Sequence, residues 1–401
     1  MTSLFLYDDA TARGFEPFAL TRPACELRAG ALLLRERWER ALAGRGTGVI
    51  TSAHLADFDE PWGVPVVSGK LAKGSILANS RFAVSLSPLG AGDAWACDGR
   101  IAAVTLPRDV DASDLADGTV SLESLAREGA KPVAIGGRWI ENVWDFIAFL
   151  SPMLVEDIMA MSSRELSHAK IGEGLKHGDH AVLMEPGARI EPHVFFDTTA
   201  GPVLVRRDAT VMAFTRMVGP CVVGEHSQVG GDRIANVSIG DVCKVHGEVS
   251  STIFLGHCNK GHDGFVGHSY LGRWVNLGAG TTTSNLKNTY GTVQLWTPAG
   301  ERETAQQFLG TFFGDHVKTG IGMVLNTGTV IGAAANVYGG VMPPKAVPPF
   351  GWGDVPPYTT YRVDKFLEVA KRMMERRHVE LTDRQAKQLR AAFDARWSVD
   401  A

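Results

Sequence analysis

The sequence predicts an α/β layer domain followed by a β-helix and a short helical tail. Three observations carry this reading. Short apolar runs alternate with helical periods over the first 160 residues; apolar residues then recur every six positions between about 171 and 344; two helical periods follow a proline-rich stretch.

Composition sets the limits. A chain of 401 residues with 45% hydrophobic content suits two or three globular domains. A net charge of −4 offers no broad basic field, so neither nucleic acid nor an anionic membrane is an expected partner, while a local basic pocket for one phosphate fits. The five cysteines (Cys25, Cys97, Cys221, Cys243, Cys258) are scattered and never form C-x-x-C, which points away from a disulfide framework or zinc knuckle and toward the cytoplasm. The N-terminus, MTSLFLYDDATARG, is acidic where a signal peptide needs base, and no apolar run approaches the roughly 20 residues of a membrane span. No export is expected.

Strands are expected at Leu4 to Tyr7, Gly48 to Thr51, Ile101 to Leu106 and Lys131 to Ile135. A helix is expected over Ala24 to Ala43, where Leu27, Ala31, Leu34, Trp38 and Ala41 recur at three- and four-residue steps. The last helix of this domain should span Trp139 to Met161, kinked or divided at Pro152.

From Ile171 the helical period is lost. Val205, Val211, Met217, Val223 and Val229 form one train of six-residue steps, Ile239 and Val245 a second, and Leu325, Ile331 and Val337 a third. That period fits a triangular β-helix whose faces each supply one inward aliphatic and a tight turn; a β-sandwich would turn every 8–12 residues. The phase breaks at Thr289 to Gln307, which reads as an insertion protruding from one corner. The pairs Pro343-Pro344, Pro348-Pro349 and Pro356-Pro357 read as a linker, after which helices are expected over Arg362 to Arg377 and Thr382 to Trp397. The expected domains are therefore 1–165, 166–352 and 353–401.

The run HDGFVGHSYLGRWVNLGAGTTTSN, from His262 to Asn285, resembles the acetyltransferase motif of the bacterial bifunctional enzymes that make UDP-N-acetylglucosamine, in which glucosamine-1-phosphate acetyltransferase is joined to N-acetylglucosamine-1-phosphate uridyltransferase. The segments FEPFALTRPACELRAGALLLRERW, GPVLVRRDAT, CKVHGEVSSTIFLGHCNKGHDGF, SNLKNTYG, FFGDHVKTGIG, NTGTVIG and FGWG resemble a divergent branch of that family, labelled sugar nucleotidyltransferases. The resemblance implies a left-handed parallel β-helix of hexapeptide repeats, an N-terminal Rossmann-like nucleotidyltransferase domain using Mg²⁺, and a homotrimer with acetyl-CoA sites between subunits.

Acetyl transfer to an amine needs a base to free the amine, and histidine titrates nearest neutrality. The resemblance gives that role to His262 and makes Glu248, fourteen residues earlier, its orienting acid. Asn276 and Asn285 match sugar-binding asparagines, although inward asparagines also stack as structural ladders in a β-helix. Phe265 stands where the family commonly has tyrosine. Val249-Ser250-Ser251 stands where it has a phosphate-binding lysine, leaving Arg233, Lys244 and Lys260 as the nearest cations; Arg233 is preferred because its fork grips phosphate with two bonds. Ala279, Gly280, Thr319 and Gly320 resemble coenzyme A-lining positions, where small residues let the pantetheine arm approach the backbone.

The usual nucleotidyltransferase opens with a glycine-rich phosphate loop, and this chain has none. Arg22 and Arg28, beside the Ala24 helix, are candidates to replace it, and Asp8 and Asp9 are candidates for a shared metal ion. The expected function is a transferase of sugar-nucleotide synthesis that acetylates an amino-sugar 1-phosphate from acetyl-CoA and joins it to UTP. Alternatives are a chain retaining only one of these activities and a non-catalytic trimeric β-helix scaffold.

Overall fold

A computed structural model describes residues 3–161 and 166–398. The chain divides into two compact units, one formed by Met1–Asp145 with Leu367–Ala395, the other by Phe146–Phe366 with Arg396–Ala401. The boundary expected between 165 and 166 lies at the edge of residues outside the described set.

The N-terminal unit is built on a mixed sheet of β1 (Leu4–Tyr7), β2 (Gly46–Ile50), β3 (Ile76–Asn79), β4 (Ala94–Cys97), β5 (Arg100–Thr105) and β6 (Val133–Ala134), in the order β6-β4-β5-β3-β1-β2. β1 runs parallel to β2 and β3, whereas β5 runs antiparallel to β3 and β4. The apolar run LFLY follows from burial on both faces: Leu4 and Leu6 pack with Trp38 and Phe82, Phe5 and Tyr7 with Leu77 and Val104. Strands β3 and β4 escaped the sequence reading.

The helix expected over Ala24 to Ala43 is shorter. A 3₁₀ turn spans Ala24–Glu26, Arg28–Ala29 pairs with Leu32–Leu33 as a tight hairpin, and α1 is Leu34–Ala41. Gly30, at φ 65°, makes the reversal that ends the apparent period. Similarly, the expected Trp139 to Met161 helix starts as a strand (Gly137–Trp139), and α2 is Leu150–Met161. A separate helix, Asp145–Ala148, ends four residues before Pro152, and Pro152 falls in the first turn of α2, so the helical stretch is divided just ahead of the proline, as expected.

The second unit is a parallel β-helix whose largest sheet, among the described residues, has 14 strands. Val205, Val223, Ile239, Phe254, Leu271, Phe313, Ile331 and Val347 stand in register on successive coils and are fully buried. All three six-residue trains lie in this core. Each such aliphatic contributes about 1.5–3 kcal/mol by burial, so the stack itself supplies the stability of a coil that has almost no helix or long strand. The neighbouring outward row, including Tyr270, Phe312 and Val330, is also apolar and buried. Phe146 meets Tyr270 edge-on at 5.5 Å, and Val155 of α2 lies against Gly201, so α2 covers that face.

The break at Thr289 to Gln307 is an antiparallel hairpin, Gln294–Thr297 with Gly300–Glu303, inserted between paired coils. The proline-rich stretch is not a free linker. Ala346–Val347 and Gly351–Gly353 pair with Val330–Ile331 and Asn336–Val337 to make a last coil, with Pro349 packed over Gly332 at a corner where no N–H is needed. The tail helices α3 (Val363–Glu375) and α4 (Asp383–Asp394) follow, and Thr382 caps α4 with a capping box. Within the N-terminal unit, α4 is held by Gln388 Nε2 donating to the Thr21 carbonyl at 3.2 Å and by a Lys387–Asp57 ion pair at 2.8 Å.

Candidate functional site

In the N-terminal unit the expected nucleotide and metal residues all have internal partners. Asp8 is buried and accepts from Ala24 N at 3.1 Å and Thr51 Oγ1 at 2.6 Å; desolvation raises its pKa. Asp9 accepts from Arg81 Nε at 2.8 Å, Asn79 Nδ2 at 2.9 Å and Ala12 N at 2.9 Å. Among the described residues no group of three or more His, Cys, Asp and Glu side chains could hold a metal. Both oxygens of Asp9 are held by internal donors, whereas Asp8 Oδ1 is buried without a hydrogen-bond partner among the described residues, so of this pair only Asp8 keeps an oxygen free for an ion. Arg22 is buried on Glu60 at 2.8 Å, and Arg28 is buried on the Ala31 carbonyl at 2.6 Å.

On the β-helix, register assembles residues the sequence leaves apart. Arg233 pairs with Glu248, and Val249 with Val266, so Arg233, Glu248 and Phe265 occupy one outward row on three successive coils. Arg233 and Glu248 are exposed, and neither side chain has a partner among the described residues. His262 is exposed on the corner just before Phe265. No hydrogen bond joins it to Glu248 among the described residues.

The corners beneath are short. From Lys260 to Val266, and from Leu277 to Thr283, six positions separate inward residues, but five separate Val229 from Ile234 and four Val245 from Val249. The His262 turn thus stands proud of the coils carrying Arg233 and Glu248. It is closed by Gly264, whose φ is 123° and where any Cβ would run into the Thr281 carbonyl oxygen.

Lys260 points inward, not toward a phosphate. Its Nζ donates to the carbonyls of His246 at 2.7 Å and His262 at 2.8 Å, tying the two histidine-bearing turns together. His246 Nδ1 lies 3.2 Å from Asp263 Oδ1. Burial pulls the Lys260 ammonium down to about 8 against the attraction of Asp263, and burial does the same to Lys318. Unfolded, each would titrate at its ordinary 10.5, so between pH 8 and 10.5 the unfolded chain holds more protons and folding stability rises with pH. The ceiling is about 3 kcal/mol for each lysine, and the carbonyl bonds, which favour the ammonium, hold Lys260 below it. Urea unfolding at pH 7.5 and 9.5 should show the rise, and Lys260→Met should reduce it.

On the far side of the corner, Asn276 accepts from Asn259 Nδ2 at 2.9 Å, so its oxygen is part of an asparagine ladder. Thr319 is buried, its hydroxyl accepting from Gly278 N at 3.0 Å and meeting Thr281 Oγ1 at 2.9 Å; its side chain faces the coil interior and not a coenzyme. Gly280 N and Gly322 N are spent on the carbonyls of Asp263 and Ala279. The Ala279 N–H has no partner among the described residues.

Asn285 stands above Phe265 and Gly267, and its Nδ2 lies 2.9 Å from His268 Nδ1. A Cβ at Gly267 would run into the Phe265 ring and meet Asn285 Nδ2 at 2.8 Å, so only glycine fits beneath them. His268, His246 and Asp263 were not singled out from the sequence. The signal available was the second histidine six residues after His262.

Fold and site define a two-part chain, a nucleotidyltransferase-type α/β domain followed by a parallel β-helix. Residues 4–165 match the sugar nucleotidyl transferase family. The chain is 33% identical over 95 residues to a bifunctional sugar-1-phosphate nucleotidylyltransferase/acetyltransferase of Sulfurisphaera tokodaii, covering 24% of each. It is 27% identical over 203 residues to bifunctional protein GlmU of Acaryochloris marina (50% of this chain, 40% of that protein), and 33% over 111 residues to GlmU of Bartonella quintana (25% and 23%). It thus spans less than half the length of these relatives. A solved structure, AntD, an N-acyltransferase from Bacillus cereus in complex with dTDP and 3-hydroxybutyryl-CoA, matches over 51% of this chain and 92% of that one at 13% identity, with a TM-score of 0.21, too low to bear on fold or function. The matched segments are similar to the GlmU-like bifunctional sugar-1-phosphate nucleotidyltransferases and acetyltransferases. No helix among the described residues is long and apolar enough to cross a membrane.

Proposed function

We propose that the β-helix transfers an acetyl group from acetyl-CoA to the amine of an amino-sugar 1-phosphate, and that the N-terminal unit joins the product to UTP to give UDP-N-acetylglucosamine or a related UDP-sugar. The observation that carries this is the row of unpartnered Arg233 and Glu248 with Phe265, set beneath the exposed His262. His262 takes a proton from the ammonium and passes it to solvent; the freed nitrogen attacks the thioester carbonyl carbon, the C–S bond breaks, and a second proton lost by that nitrogen is carried by His262 to the departing coenzyme thiolate. Arg233 grips the sugar phosphate, and Asn285 and Asn276 Nδ2 bind sugar hydroxyls. Glu248 orients the His262 ring once substrate closes the gap between them. The free Ala279 N–H, with Gly280 and Gly320 beside it, polarises the thioester carbonyl and lines the pantetheine arm.

In the second reaction a phosphate oxygen of the sugar 1-phosphate attacks the α-phosphorus of UTP and pyrophosphate leaves. A homotrimer in the cytoplasm completes the reading. A second reading, acetyl transfer alone, is favoured by the internal partners of Asp8, Asp9, Arg22 and Arg28, which leave the N-terminal unit without a preformed phosphate cradle.

Incubation with acetyl-CoA, UTP, Mg²⁺ and a panel of sugar 1-phosphates, following free thiol and pyrophosphate separately, tests both. Thiol and pyrophosphate together support the bifunctional reading; thiol alone supports the second. Neither product, with no binding of acetyl-CoA or UTP by calorimetry, would leave a scaffold.

A further inference from the structure

We infer that His268 is a positioning residue that fixes which end of the Asn285 carboxamide faces the acceptor, and so selects acceptors that present a hydrogen-bond donor there. The inference rests on the acetyl-transfer reading above.

Donor and acceptor chemistry fixes the arrangement. Asn285 Nδ2 can only donate, and it lies 2.9 Å from His268 Nδ1, so that nitrogen carries a lone pair and the ring is neutral. With one of the two Nδ2 hydrogens committed to the ring, Asn285 Oδ1 is the acceptor it presents to a ligand. An ammonium or a hydroxyl satisfies Oδ1, whereas an acetamido or phosphate oxygen can use only the remaining Nδ2 hydrogen and leaves Oδ1 unmet. Were His268 charged, its Nδ1–H would turn the amide over, bringing Oδ1 to the ring and presenting Nδ2 instead. The site would then favour acceptor oxygens.

Three features hold the neutral state. The His268 ring is stacked with Phe308 at 5.4 Å, which removes water from one face. The return from the inserted hairpin is pinned to this point, because Leu309 N donates to the Asn285 carbonyl at 2.9 Å. Burial alone, with no charged group contributing, pushes the imidazole down to about 4. The chain returning from the insertion thus acquires a role, since its Phe308 covers one face of the His268 ring.

Two variants and one spectrum test this on the full chain. His268→Leu removes the acceptor, and acceptor KM is expected to rise about tenfold while acetyl-CoA KM stays unchanged. His268→Gln, whose Oε1 can accept from Nδ2, should restore most of the loss. An unchanged acceptor KM in a folded His268→Leu, or no rescue by glutamine, overturns the inference. Independently, imidazole ¹⁵N shifts at pH 6 should show His268 neutral and unprotonated at Nδ1, and Asn285→Asp should move its titration upward by more than about one pH unit, since a carboxylate favours the imidazolium. A wild-type His268 already charged at pH 6 overturns the inference whatever the kinetics. Should the protein acetylate no amino sugar, the proposed function falls, and the spectrum decides the His268–Asn285 arrangement alone.

Discussion

His262→Ala is expected to lower kcat for acetyl transfer by about 10²–10⁴-fold, the range for losing a positioned general base. The amine is protonated at neutral pH and cannot attack until a proton leaves, so the loss should fall on the chemical step. Acetyl-CoA KM should hold, because His262 acts on the amine and the Ala279 N–H holds the thioester carbonyl, although the two turns are adjacent, with Gly280 N donating to the Asp263 carbonyl at 3.0 Å. Thiol release under saturating acceptor measures kcat directly. A rate within about threefold of wild type would remove His262 from the chemistry and turn attention to His246, whose ring already has a carboxylate partner in Asp263 at 3.2 Å. The buried Lys260 beneath both turns should keep the variant folded, since it grips main-chain carbonyls rather than the His262 ring.

Much of this was legible in the sequence where a single period governs the structure. The six-residue trains pointed to the β-helix because each coil repeats one inward aliphatic at each face, and every member of the trains lies in its core. Local reading failed where backbone conformation interrupts a period. The Ala24 to Ala43 pattern was helical in spacing, yet Gly30 reverses the chain inside it. Prolines read as a linker turned out to sit at corners of a last coil. At the site, residue types were legible and their partners were not. Lys260 looked like a phosphate ligand, but parity along the strand turns it inward, which a two-residue alternation would have shown had the corner lengths been known. The Asn285 to His268 bond spans adjacent coils, and no local pattern announces it. Asp8 and Asp9 read as metal ligands at a strand end, but no local pattern announces that Asp9 also binds Arg81, 72 residues on.

That last pairing makes the second large prediction. Arg81 is buried, its Nε bonds both oxygens of Asp9 at 2.9 and 2.8 Å, and its NH1 reaches the Ile140 carbonyl at 3.0 Å and Glu141 at 2.8 Å. Arg81→Met keeps the apolar stem beside Trp139 but leaves Asp9 facing a hydrophobic surface and Ile140 without its donor. Breaking a buried pair by removing one partner costs about 3–5 kcal/mol. Asp9 keeps Ala12 N and Asn79 Nδ2, and its side chain is 17% exposed, so the lower end is expected, about 3 kcal/mol. Hydrogen exchange over peptides covering Leu4–Tyr7 and Ile76–Asn79 reads this unit without averaging in the β-helix, and protection there should fall by about 100-fold. Asp9→Asn in the Arg81→Met background should recover part of the loss, because the uncompensated charge is gone. If Mg²⁺ instead restores protection to Arg81→Met, then Asp9 is a metal ligand that Arg81 occupies in its absence, and the N-terminal unit regains its claim to a metal-assisted nucleotidyl transfer.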